Sequence, residues 1–116
     1  MIHSKKIIPE GEGFETDYDK YNMDSDRKFP TSDDWWKSFC LLGKDELEQS
    51  HIKEDLLSEV NGDEYLAMAI NHFVGKNYKA WLDKEGIDVL GGLTPRQCMA
   101  SSYGVKRLRM LFLMSH

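Results

Sequence analysis

Helical spacing of the apolar residues is the feature that most restricts the fold of this chain. The clearest pattern lies between Asp63 and Val74, where apolar residues recur three and four positions apart at Tyr65, Leu66, Ala69, Ile70 and Phe73. This spacing places one apolar stripe along a helix. A short strand over Lys6 to Ile8 is indicated only weakly. The sequence therefore predicts an all-α fold, a small helical bundle of about five to six short helices.

Capping residues and glycines divide this pattern into helices. Hydroxyl and acidic residues at positions 31–34 are typical of a helix start, and Gly43 ends the helix that follows. Asn61-Gly62 predicts the end of the next helix, and Gly75 predicts a bend. With their caps, the predicted helices cover residues 31–42, 44–60, 63–74, 76–83, 94–100 and 103–113.

Length and charge restrict the class of protein. The 116 residues suffice for one domain, and we assign residues 31–116 to it, preceded by an irregular or disordered N-terminal arm over residues 1–30. A net charge of -5 disfavours nucleic-acid and anionic membrane surfaces. Residues 31–62 carry 3 basic and 8 acidic side chains, which disfavours a DNA-recognition helix there. Without a membrane-spanning run or a signal peptide, we expect a soluble, cytoplasmic protein.

Catalytic, metal and cofactor sites are not predicted, so we expect a protein that is not an enzyme. Cys40 and Cys98 are far apart and have no Cys-x-x-Cys spacing, which favours buried, reduced thiols. Glu48 and His51 share one helix face but have no third ligand nearby. The other histidines, which have no shared short spacing, are His3, His72 and His116.

The adjacent Trp35 and Trp36 point in different directions on a helix, because neighbouring residues are about 100° apart. Both rings can hardly face one small core. One ring is expected to be exposed or to cover the helix over residues 63–74. The other would then be core, or the anchor of a homodimer or partner interface.

A turn motif carries the most specific signal. Gly91-Gly92 allows positive φ and a close approach to a packed Trp81, and Thr94-Pro95 provides an N-cap and a proline at the first helical position. An ordinary flexible loop at the two glycines is the alternative. The residues that form the motif and its surroundings are Trp81, Leu82, Leu90, Gly91, Gly92, Thr94, Pro95 and Gly104.

With these residues in this order, residues 63–116 resemble the toxin-binding domain of Xre/MbcA/ParS antitoxins. That family has a Trp-Leu pair ending a helix, a Leu-Gly-Gly-x-x-Pro turn, and a glycine before a final apolar helix. The resemblance implies an antitoxin that sterically inhibits a RES-type, NAD-consuming toxin with its C-terminal region. Similar segments also end larger bacterial proteins, so a non-catalytic interaction module or dimeric adaptor is the alternative.

The resemblance implies a contact surface on the last helix and its tail. Residues 100–116 carry three basic and no acidic side chains, which would suit an acidic or nucleotide-pocket rim. The alternative is that these are solvated charges stabilising the C-terminal end of a helix. The candidate partner-binding residues are Arg96, Lys106, Arg107, Arg109, Phe112, Leu113 and Met114.

Overall fold

The central helix of the protein is the one with the strongest sequence pattern. A computed structural model describes residues 33–115, apart from the side chains of Asp33 and Ser102. The predicted N-terminal arm, the cap at Thr31-Ser32 and the strand over Lys6 to Ile8 lie outside this range. Within it the secondary structure is helical throughout, which confirms the all-α prediction for these residues. The α-helices are α1 (Asp33–Cys40), α2 (Lys44–Glu48), α3 (Lys53–Glu59), α4 (Glu64–Phe73), α5 (Tyr78–Leu82), α6 (Pro95–Cys98) and α7 (Ser102–Ser115).

Helix α4 is surrounded by α1, α2, α3 and α7, and residues 66–71 are buried all around the helix. Asp63 begins it, because its carboxylate accepts a hydrogen bond from the Leu66 amide at 3.1 Å. The main core forms around this helix from Trp36, Cys40, Leu47, Leu56, Val60, Leu66, Ala67, Met68, Ala69, Ile70, Tyr78, Leu82 and Phe112. The buried part of α4 is thus wider than the single apolar stripe that the spacing predicted.

The prediction of a single helix over residues 44–60 is wrong. The chain leaves helical geometry after Glu48 and resumes it at Lys53, where the Ser50 hydroxyl accepts a hydrogen bond from the Ile52 amide at 3.2 Å. Serine side chains compete in this way with the helical hydrogen bonds of the backbone. Leu47 of α2 and Leu56 of α3 are both buried in the main core.

The predicted end of α3 is confirmed. Asn61 has φ 57°, and the Gly62 amide donates to the Leu57 carbonyl at 2.8 Å while the Asn61 amide donates to the Ser58 carbonyl at 3.4 Å. These two bonds form a Schellman motif with asparagine in the left-handed position. They turn the chain directly into α4.

A smaller core supports the C-terminal region. It consists of Leu90, Leu93, Cys98 and Leu108, and Trp81 packs against both this cluster and the main core. The predicted packing role of Trp81 is therefore confirmed. The glycine-rich segment before α6 is a loop, as expected, with one 3-10 turn over Asp88–Leu90.

Candidate protein-binding surface on the last helix

The turn before α6 is built by backbone geometry and a reciprocal cap. Gly91 and Gly92 have φ values of 62° and 96°, a region that residues with a Cβ rarely adopt. Thr94 accepts a hydrogen bond from the Gln97 amide at 3.1 Å, and the Gln97 side chain accepts one from the Thr94 amide at 2.8 Å. The two bonds form a capping box. The predicted positive φ and threonine cap are confirmed.

Gly104 brings α7 into direct contact with α6. A Cβ at this position would lie 2.4 Å from the carbonyl oxygen and 2.5 Å from the Cα of Cys98, closer than such atoms pack in proteins. The family motif has a glycine before the last helix, and the predicted helix over residues 103–113 includes Gly104. In the structure Gly104 lies inside the first turn of α7, where its amide donates to the Ser101 hydroxyl at 3.0 Å. Its absent side chain is therefore what allows the two backbones to meet.

Arg107 is completely buried, with 0 % of its surface exposed, so its assignment to an exposed basic stripe is wrong. Its Nη1 donates to the Leu90 carbonyl at 3.2 Å, and its guanidinium carbon lies 4.4 Å from the centre of the Tyr103 ring. These contacts connect α7 to the residue that precedes the two glycines. Arg107 thus stabilises the turn from inside the fold.

Phe112 is also buried, and its assignment to the outer contact surface is wrong in the same way. Its ring centre lies 5.6 Å from those of Phe73 and Trp81 and 6.1 Å from that of Trp36. Aromatic pairs at such separations stabilise a core beyond the area they bury. The ring therefore fixes the C-terminal half of α7 to the main core.

Arg96 is exposed, but its guanidinium connects three parts of the fold. Its Nε donates to Asp83 and its Nη1 to Glu59, both at 2.9 Å. The hydrogen bonds to Asp83 and then to Glu59 raise the pKa of the Arg96 guanidinium above its usual, already high value. Exposed ion pairs of this kind contribute little to stability, about 1 kcal/mol or less. The two ion pairs hold Arg96 against its own fold, while its side chain remains 42 % exposed.

The remaining candidates form the accessible part of the last helix. Lys106, Arg109 and Leu113 are half-buried, and Met114 is 48 % exposed. The Arg109 guanidinium lies 5.5 Å from the Trp36 ring centre, which holds its charge over the edge of the main core. We name Lys106, Arg109, Leu113 and Met114 the α7 surface. It combines two cationic and two apolar side chains.

A cleft of about 300 Å³ adjoins this surface between α7 and the start of α4. Trp36, Leu66 and Leu108 are among its apolar lining residues, while Asp63 and Arg109 contribute opposite charges to it. The cleft is large enough for a side chain of a bound protein. The sequence did not predict it, because its walls come from four separate segments.

Chemistry based on the two cysteines is not supported by their surroundings. Burial raises the pKa of the Cys98 thiol to about 12, and burial and then the charge of Asp63 raise that of Cys40 to about 12. Both thiols therefore stay protonated at neutral pH, which makes them poor nucleophiles. Within residues 33–115, no three His, Cys, Asp or Glu side chains are grouped so that they could hold a metal ion. In the same range no helix is both long and apolar enough to span a membrane.

Two of the histidines can be placed. His72 lies at the surface, with its Nδ1 2.8 Å from a carboxylate oxygen of Glu46, and His51 is exposed. His3 and His116 lie outside the described residues. The contact between His72 and Glu46 joins α4 to α2.

Gln97 is the residue of the turn that the sequence prediction missed. The series Thr-x-x-Gln was a readable signal for a capping box. The partners of Arg96 gave no such signal, since Glu59 and Asp83 are 37 and 13 positions away from it.

Comparison with known proteins adds no relative: the chain matches no family model, no curated protein and no solved structure. The resemblance of residues 63–116 therefore depends on the residues of the motif themselves.

Proposed function

We propose that this protein is an antitoxin or antitoxin-like protein that binds a RES-type, NAD-consuming toxin and inhibits it sterically through its C-terminal helices. The observation that supports this proposal is the way α7 is held. Gly104, Arg107 and Phe112 fix one side of the helix along its length, while Lys106 and Leu113 on the opposite side are only half-buried. A helix held in this way loses little conformational entropy on binding.

The α7 surface suits an acidic rim around the entrance to the toxin's active site. Lys106 and Arg109 supply positive charge, and residues 100–116 contain no acidic side chain. Leu113 and Met114 add apolar contact next to these charges. Such a combination attracts an acidic rim over a distance and excludes water once in contact. In this proposal α7 covers the entrance, and no residue of the chain takes part in the toxin's reaction.

The direct test uses a RES-type toxin encoded beside the gene for this chain. The purified toxin should lose its NAD-consuming activity at a one-to-one ratio of chain to active site, and co-expression should restore growth. Absence of a stable complex together with full toxin activity would refute the proposal. A genome with no such neighbouring gene would count against it.

Charge reversal tests the surface itself. Lys106→Glu with Arg109→Glu should weaken inhibition by at least tenfold, because both side chains would then repel an acidic rim. The matched control is Lys76→Glu with Lys84→Glu, which changes the net charge equally at exposed positions on other segments. Equal inhibition by the two double variants, both folded by circular dichroism, would remove the α7 surface from the interface.

The alternative function is a non-catalytic interaction module or dimeric adaptor without a toxin partner. The observation that favours it is the exposure of apolar residues outside α7, above all Leu42 at 85 %. Exposed apolar groups in one place are typical of interaction sites. Inhibition of a RES-type toxin by the wild-type chain would favour the antitoxin function over the adaptor function.

A further inference from the structure

The α7 surface lies close to the start of α1. Helix α1 begins at Asp33, and within its first turn Trp36 lies below Arg109, whose guanidinium carbon is 5.5 Å from the centre of the indole ring. Lys106 and Leu113 are three positions before and four positions after Arg109, which puts these side chains on one face of α7. The residues that precede α1 therefore join the fold near this face.

A strongly acidic segment occurs in the sequence before α1. Residues 10–26 carry seven acidic side chains and one basic side chain, a net charge of -6, and include Phe14, Tyr18 and Tyr21. Residues 100–116, by contrast, carry three basic side chains and no acidic one. The two segments are thus opposite in charge, and both combine charges with apolar groups, as complementary surfaces do.

We propose that residues 10–26 bind the α7 surface of their own chain and compete there with the toxin. Lys106 and Arg109 already take part in interactions within the chain, so a toxin that binds them has to compete with contacts that the chain itself makes. The competition rests on the proposed function, whereas the contact between the acidic segment and α7 needs no toxin.

The length of the connection favours a contact within one chain. Residues 27–32 separate the acidic segment from Asp33, and six extended residues span up to about 20 Å. So short a connection gives an effective concentration of about 1 mM at the surface. A contact with an intrinsic dissociation constant of about 0.1 mM would then be formed in about 90 % of the molecules, and the apparent dissociation constant of the toxin would be about tenfold higher.

The cleft beside the α7 surface suits a tyrosine of this segment. Its walls combine apolar side chains, among them Trp36 and Leu66, with the Asp63 carboxylate. A tyrosine ring is apolar and its hydroxyl donates a hydrogen bond that a carboxylate accepts. Tyr18 is the residue that we expect in the cleft, because its neighbours in the sequence are both aspartates that would then lie beside Arg109.

Carbodiimide cross-linking of the full chain at low micromolar concentration tests the contact without a toxin. This reagent joins a carboxylate to a lysine amine only where the two groups meet. Peptide mass spectrometry should find Lys106 joined to residues 10–26 within single chains, with a lower yield at high salt, which screens the charges. Lys76 and Lys84, both exposed, are the internal controls. Absence of the Lys106 product, equal products at the two control lysines, or products only between two chains would overturn the proposal.

Charge reversal in the acidic segment tests the competition. Asp17→Lys with Asp19→Lys should remove the Lys106 product and lower the dissociation constant of the toxin by up to about tenfold. Glu48→Lys with Glu85→Lys is the matched control, because it changes the net charge equally at exposed positions in the fold and should leave both measurements unchanged. Equal toxin affinity of the two double variants would overturn the competition.

Two further results separate the parts of the proposal. Tyr18→Ser should also lower the dissociation constant of the toxin, and an unchanged value would remove Tyr18 from the cleft. Failure of the wild type and all variants to bind the toxin would refute the proposed function and with it the competition. The cross-linking of Lys106 would still decide whether residues 10–26 bind α7.

Discussion

Replacement of Gly104 by alanine gives opposite predictions depending on whether helix propensity or packing decides its effect. In an unobstructed helix the change would stabilise the protein by up to about 1 kcal/mol, because alanine is the better helix former. In this structure the new Cβ would lie 2.4 Å from the Cys98 carbonyl oxygen, whereas ordinary contact begins at 3.4 Å. Helix α7 would have to move by about 1 Å, the difference between these distances.

That movement has to be made against backbone atoms, which cannot rotate away as a side chain can. Overpacking of this kind costs typically about 1–3 kcal/mol, and the shift would also loosen the contacts that α7 makes through Arg107 and Leu108. With about 3 kcal/mol lost and about 1 kcal/mol gained, we expect Gly104→Ala to lower the free energy of unfolding by about 2 kcal/mol. This corresponds to a melting temperature lower by roughly 8 °C.

Urea unfolding followed by circular dichroism measures this difference, with Gly43→Ala as the control. A Cβ at Gly43 would lie 3.1 Å from the Met68 carbonyl oxygen, a contact that a shift of a few tenths of an ångström relieves. Gly43 has φ -100°, so alanine fits its backbone conformation. We expect this control to stay within about 1 kcal/mol of wild type. A Gly104→Ala variant as stable as wild type, or more stable, would refute the close contact between α6 and α7.

Three further predictions concern the turn, the buried arginine and the cysteines. Thr94→Ala should lower the free energy of unfolding in urea by about 1 kcal/mol, because it removes the side-chain acceptor of the capping box. Thr94→Ser keeps a hydroxyl acceptor and should retain most of this stability; an equal loss in both variants would contradict the prediction. Arg107→Ala should cost about 2–4 kcal/mol, since it removes a charged hydrogen bond to the buried Leu90 carbonyl, which keeps only the bond from the Leu93 amide, and removes packed side-chain area, whereas Lys106→Ala should change stability by less than about 0.5 kcal/mol. Iodoacetamide at pH 8 should modify Cys40 and Cys98 slowly in the native protein and rapidly in urea, because burial raises the pKa of both thiols to about 12; mass spectrometry showing fast native modification would refute their burial.

The sign of the pH effect follows from the same burial. A folded-state pKa of about 12 for Cys98 exceeds the unfolded value of about 8.5. The folded protein therefore holds a proton that the unfolded chain releases as the pH rises above about 8.5. The contribution of this group to stability is complete below that pH and decreases up to about pH 12.

Local signals in the sequence determined the helices and their caps. The spacing of apolar residues located α4, Asn61-Gly62 located the end of α3, and Thr94-Pro95 located the start of α6, because each signal acts within one or two turns of the chain. The break between α2 and α3 was missed, since a serine that accepts from a nearby amide competes only slightly with continued helix. Adjacent tryptophans indicated that the two rings would separate, but not which of them the core would bury.

Only the tertiary structure could decide which residues of α7 are buried. Lys106, Arg107 and Arg109 are alike in the sequence as basic residues of one helix, yet Arg107 is enclosed and donates to Leu90, which is 17 positions away. Phe112 was assigned to an outer surface, but three aromatic rings from other helices enclose it. Backbone hydrogen bonds and caps are fixed by near neighbours, so the sequence specifies them. Which side of a helix meets solvent depends on where distant segments pack, and the assembled fold alone supplies that.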